Sequence, residues 1–136
     1  MTPAFQVVPR WDIESAGRLR ASMMLLMRID RWDVRRDGAL SEPALHQKVR
    51  ALGYEPAARL YPAGAIVSAP TDDRDRVQAI ARGLVKVTID GESAILTAGD
   101  IVFVPRGAVR RVEVVGSAPA HCLEAVYAGE TPGDVA

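Results

Sequence analysis

The sequence predicts a mainly β, single-domain protein, and three observations carry that prediction. Short apolar or alternating runs recur after Gly53, and turn residues separate them at close, even spacing. Asp90-Gly91 stands between the alternating Val85/Val87/Ile89 and Ala94/Leu96, a strong tight-hairpin signal. The chain has 136 residues, 49% hydrophobic and 25% charged, which suits one domain with one core.

The first 22 residues mix Pro3, Pro9, Gly17 and scattered charges, so 1–22 reads as an extension, either flexible or helical from about Asp12. The functional chain could equally begin at Met23, Met24 or Met27. From Met27 the order Met-Arg-Ile-Asp-Arg-Trp-Asp-Val alternates and predicts a strand with one covered face. Ser41-Glu42-Pro43 then opens a helix over about 41–52. Ser41 accepts from an orphan amide, Glu42 suits the positive end, and Pro43 is tolerated in the first turn. Leu45, Val49 and Leu52 form its apolar stripe and Gly53 ends it.

Strands are expected at 57–61, 65–68, 77–81, 84–89, 93–96, 101–104, 109–115 and 122–127. Pro62-Ala63-Gly64, Gly83, Asp90-Gly91, Gly99-Asp100, Pro105-Arg106-Gly107 and Gly116 punctuate them. The domain is expected over 23–130, with 131–136 as a tail.

Composition excludes several function classes. Seventeen basic residues balance seventeen acidic ones, and no basic stripe appears, so no nucleic-acid partner is expected. No run approaches a membrane span, and Trp11-Asp12 and Glu14 interrupt any signal-like segment, so a cytoplasmic protein without a membrane partner is expected. One cysteine, Cys122, excludes an intrachain disulfide. Two histidines, His46 and His121, leave few ligands for a metal.

The stretch Gly99-Asp-Ile-Val-Phe-Val-Pro105-Arg-Gly107-Ala-Val-Arg110 resembles the second signature of the cupin superfamily. Ala81-Arg82-Gly83 through Asp90-Gly91-Glu92 resembles the end of the first signature and the hairpin that follows it. The resemblance covers roughly Tyr61 to Tyr127. It implies a cupin-like jelly-roll (double-stranded β-helix) barrel with an interior that opens as a ligand cavity, extended here by the N-terminal strand and the short helix. Homodimers are common in that superfamily, so a homodimer is expected.

Cupin metal sites resemble one another in two histidines one residue apart, a glutamate, and a final histidine. The family spacing puts Pro70 and Asp72 (or Ala69 and Thr71) on the first two positions, Arg76 on the third and Arg110 on the last. Arginine cannot coordinate a cation, so the resemblance implies a cupin without the usual metal histidines, and no cofactor is expected. A metal held by Asp72, Glu113, His121 and Glu124 would depart from the family geometry.

If the barrel follows the family, Arg76 and Arg110 point inward and hold a carboxylate or phosphate, with Asp72 pairing one of them. The bland alternative is a solvated, self-neutralised loop at 72–76 and a surface pair at Arg110-Arg111. Gln78 and Ile80 follow Arg76 by the two-residue period, as Val112 and Val114 follow Arg110. The ligand-binding candidates are Arg76, Arg110, Asp72, Gln78 and Tyr61. The leading reading is a metal-free module that binds a small, anionic organic molecule as a sensor or accessory. An epimerase-like enzyme using Asp72, Glu113, His121, Glu124 or Tyr61 is the alternative, followed by a purely structural barrel, so catalysis stays open. Cys122 reads as a small buried hydrophobe on the face shared with Glu124. His121 reads as an edge or surface residue, and His46 as exposed.

Overall fold

The computed structural model describes residues 27–69 and 73–128. The N-terminal extension, the alternative start sites before Met27, the tail, and Asp72 with its neighbours Pro70 and Thr71 lie outside the described residues.

A three-residue strand β1 (Arg28–Asp30) opens the described chain, followed by one helical turn α1 (Val34–Asp37) and then α2 (Glu42–Ala51). The β-strands after it are β2 (Tyr54–Tyr61), β3 (Ile66–Ala69), β4 (Arg76–Arg82), β5 (Val85–Ile89), β6 (Glu92–Leu96), β7 (Ile101–Val104), β8 (Arg110–Val114) and β9 (Ala120–Tyr127). They form a five-stranded sheet, β1-β7-β4-β9-β2, and a four-stranded sheet, β3-β8-β5-β6. Every pairing is antiparallel. The two sheets face one another as a jelly roll. No helix among the described residues is long and apolar enough to cross a membrane.

The two-residue period divides the core into two compartments. Between the sheets lie Ile80, Val102 and Cys122 from one side and Val85, Val87 and Val112 from the other. Behind the five-stranded sheet, Leu45 and Val49 of α2 cover Val77, Ala79, Ile101 and Leu123. Burying each of these helix side chains contributes about 1.5–3 kcal/mol. Ser41 caps α2 by accepting from the amide of Ala44 at 3.1 Å.

The alternation from Met27 predicts a longer strand than the one found. Asp33 is the reason: its carboxylate accepts from the amide of Arg35 at 2.9 Å and caps α1. The chain therefore turns after Asp30, and Trp32 leaves the strand to pack on Gly99. A Cβ on Gly99 would stand 2.6 Å from the Trp32 Cβ.

Turns place the functional strands. Asp90 (φ 47°) and Gly91 (φ 88°) form the two-residue hairpin between β5 and β6. The Asp90 carboxylate then accepts from the amide of Val109 at 3.0 Å, which fixes the start of β8 one residue before Arg110. Asp100 accepts from the amide of Thr97 at 2.9 Å and from the guanidinium of Arg31 at 2.5 Å, closing the turn into β7.

Candidate functional site

Three strands of the five-stranded sheet and one of the other aim polar side chains into the space between the sheets. Gln78 lies on β4 opposite Glu124 of β9, and both share the inward face with Ile80 and Cys122. On β2, Arg59 faces Cys122 and Tyr61 faces Ala120 in register, so both belong to the same face. Arg110, at the start of β8, reaches across from the opposite sheet.

These residues form one cluster. Arg110 donates through Nη1 to Gln78 Oε1 at 2.7 Å, while its Nη2 stands 4.0 Å from Glu124 Oε1. The Tyr61 hydroxyl donates to Glu124 Oε2. Gln78 Nε2 donates weakly to the same oxygen at 3.4 Å. Arg59 Nε approaches Glu124 Oε1 at 3.6 Å, with the Arg59 side chain 63% exposed against 9% for Glu124. The cluster thus runs from a fully buried amide, Gln78, to a guanidinium at the solvent edge.

Burial sets the protonation behaviour. Loss of solvent raises the Glu124 carboxyl above its ordinary 4.5, and the Arg59 cation partly opposes the rise. The Cys122 thiol is pushed up to about 11 by burial, against the Gln78 hydrogen bond and the Arg110 charge, so it stays a neutral thiol.

The structure gathers three of the five predicted ligand-binding residues, Tyr61, Gln78 and Arg110, around Glu124. Arg76 begins β4 and does not join the cluster; it lines a pocket at the end of the sheet with Arg28, Tyr54 and Phe103. Arg59 is the residue that sequence reasoning missed. It sits in no motif, and only its register with Cys122 on a paired strand exposes its inward position. His46 and His121 are both half-buried, His46 on α2 rather than exposed at its surface, and His121 between Leu60 and Arg82 on the outer face of β9.

The donor set does not fit a divalent metal. Among the described residues of the cluster, the inward donors are one carboxylate, one phenol, one amide and a neutral thiol, and the Arg110 and Arg59 guanidiniums bring positive charge to them. The departing ligand set fails too, because Glu124 faces inward while His121 and Glu113 fall on outward-facing positions of opposite sheets. Among the described residues, no three His, Cys, Asp or Glu side chains are grouped to hold a metal ion.

Comparison with known proteins agrees with this architecture. The cupin domain of Cnp3 from Schizosaccharomyces pombe superposes with a TM-score of 0.52 at 18% identity, over 56% of this chain and 56% of that one. The chain therefore spans little more than half the length of that relative. A predicted oxalate decarboxylase from Thermotoga maritima gives a TM-score of 0.51 at 17% identity, covering 60% and 73%. A Streptococcus pyogenes protein of unknown function gives 0.50 at 20%, covering 58% and 68%. At these identities the likeness concerns the fold alone. None of the curated proteins matches the sequence. With residues 59–126, half of the chain, matching the cupin domain model, the chain belongs to the cupin family.

Proposed function

We propose that this cupin binds a small organic anion, a carboxylate or phosphate, at the inward cluster of Arg110, Gln78, Tyr61 and Glu124. The observation that carries the reading is the polar gradient: a buried guanidinium braced by Gln78 leads outward to Arg59, which reaches Glu124 from the rim. Polar anchors in an otherwise apolar barrel are the usual composition of a small-molecule site. Arg59 and Arg110 supply planar donors that match a carboxylate or phosphate. The role is that of a sensor or accessory module.

A thermal-shift screen of small carboxylates and phosphates tests this. A stabilising compound is expected, with the shift reduced in Arg59→Ala, whose exposed side chain makes the variant safe for folding. A shift unchanged in Arg59→Ala, or no stabilising compound at all, contradicts the reading and leaves a structural barrel.

Glu124 favours a second reading. A carboxyl raised by burial and hydrogen-bonded to a phenol is equipped for proton transfer in an isomerase or epimerase. Exchange of a carbon-bound ligand proton in deuterated water, lost in Glu124→Gln, would support it. Binding without exchange would exclude it.

A further inference from the structure

We propose that the pocket where β4 begins and β7 ends binds a small planar aromatic anion, such as an aromatic carboxylate, independently of the inward cluster. This pocket of about 210 Å3 is lined by Arg28, Tyr54, Asp75, Arg76, Phe103 and Pro105, among others. It is smaller than the roughly 300 Å3 at which drug-sized sites begin, which suits one ring and one charged group.

Two walls are aromatic. Tyr54 and Phe103 meet edge to face with centroids 6.1 Å apart, and both contribute to the pocket lining. The Arg28 guanidinium lies 4.0 Å over the Phe103 centroid. An aromatic face holds a guanidinium without cancelling its charge, so Arg28 keeps its positive charge at the pocket wall. Its position is fixed by the sheet, because Arg28 stands opposite Phe103 in the β1–β7 register.

The one carboxylate in the lining is turned to other work. Asp75 Oδ1 accepts from the amide of Arg106 at 2.9 Å, with the Arg106 Nε 3.5 Å away. The Tyr54 phenol is raised by burial first and by the Asp75 charge second. It remains protonated near neutral pH and able to donate. Cationic walls, aromatic rings and a phenol donor select a flat anion over a cation or an aliphatic acid of equal charge.

The test is an amide-resolved NMR titration of the full chain with benzoate, with benzylamine and acetate as controls. Benzoate is expected to give saturable shifts at Tyr54, Phe103 and Val104, and acetate at least about tenfold weaker binding. Benzylamine should leave those amides in place. Arg28→Ala should weaken benzoate about tenfold, and Arg28→Lys should restore part of it. Phe103→Leu, which keeps apolar volume, should weaken benzoate and leave acetate unchanged. Arg110→Met should leave the benzoate shifts at Tyr54, Phe103 and Val104 in place, which separates this site from the inward cluster. The proposal is overturned if benzylamine binds as well as benzoate, if Arg110→Met removes the shifts, or if none saturate.

Discussion

Arg110 Nη1 lies 2.7 Å from Gln78 Oε1, and this hydrogen bond joins the four-stranded sheet to the five-stranded one through the barrel interior. Gln78 is fully buried and Arg110 nearly so. A buried charge is tolerated only where such partners satisfy it. Gln78→Leu should therefore cost about 1.5–3 kcal/mol in urea unfolding. Arg110→Met in the same chain should recover part of that loss, because the double variant leaves no guanidinium short of its amide partner. Additive losses in the double-mutant cycle would show that the two side chains act independently.

Glu124 gives the fold a defined pH dependence. Its carboxyl is raised in the folded state, so the folded chain holds that proton more tightly than the unfolded chain does. Stability contributed by the protonated form is complete at low pH and is lost as pH rises from the ordinary value of 4.5 through the raised one. Glu124→Gln should remove this component. Unfolding curves from pH 4 to pH 8 should be flatter in Glu124→Gln than in the wild type. Identical slopes would mean that burial does not raise this carboxyl.

Cys122 should be chemically quiet. A thiol that is 1% exposed and raised to about 11 offers little thiolate near neutral pH. Ellman's reagent should leave the native protein unlabelled over the time in which urea-unfolded protein reacts fully. Rapid native labelling would show that the interior opens more readily than the packing suggests.

Two glycines with similar backbones should respond differently to alanine. Gly83 (φ 101°) would place a Cβ 2.8 Å from the Ala120 Cα, whereas Gly91 (φ 88°) would place one in open space. Both substitutions incur backbone strain of about 1–3 kcal/mol. Gly83→Ala adds a collision with backbone that cannot step aside, so its melting temperature should fall further than that of Gly91→Ala. Equal melting temperatures would place the cost in φ alone.

That contrast shows why much of the fold was legible. Gly83, Asp90-Gly91, Gly99 and Gly107 mark corners where the chain takes a positive φ, and such positions are written directly in residue type. The helix was legible from Ser41, Pro43 and its apolar stripe. The first half of β2 was not, because Glu55 and Pro56 disguise a strand that lies at the sheet edge, where proline is tolerated. The site was half legible. Arg110 followed from its place in the cupin-like second signature and Gln78 from the two-residue period after Arg76, while Tyr61 and Glu124, 63 residues apart, meet only through the β2–β9 pairing. Arg59 depends wholly on that pairing.

The most direct test of the inward site is the Arg110 side chain itself. Arginine Nε–H signals of the wild-type protein, assigned with Arg110→Lys, would be followed by NMR during titration with the best carboxylate or phosphate from the screen. The account predicts that the Arg110 signal moves and saturates with the same dissociation constant as the thermal-shift response. A ligand that binds while the Arg110 signal stays in place would contradict it.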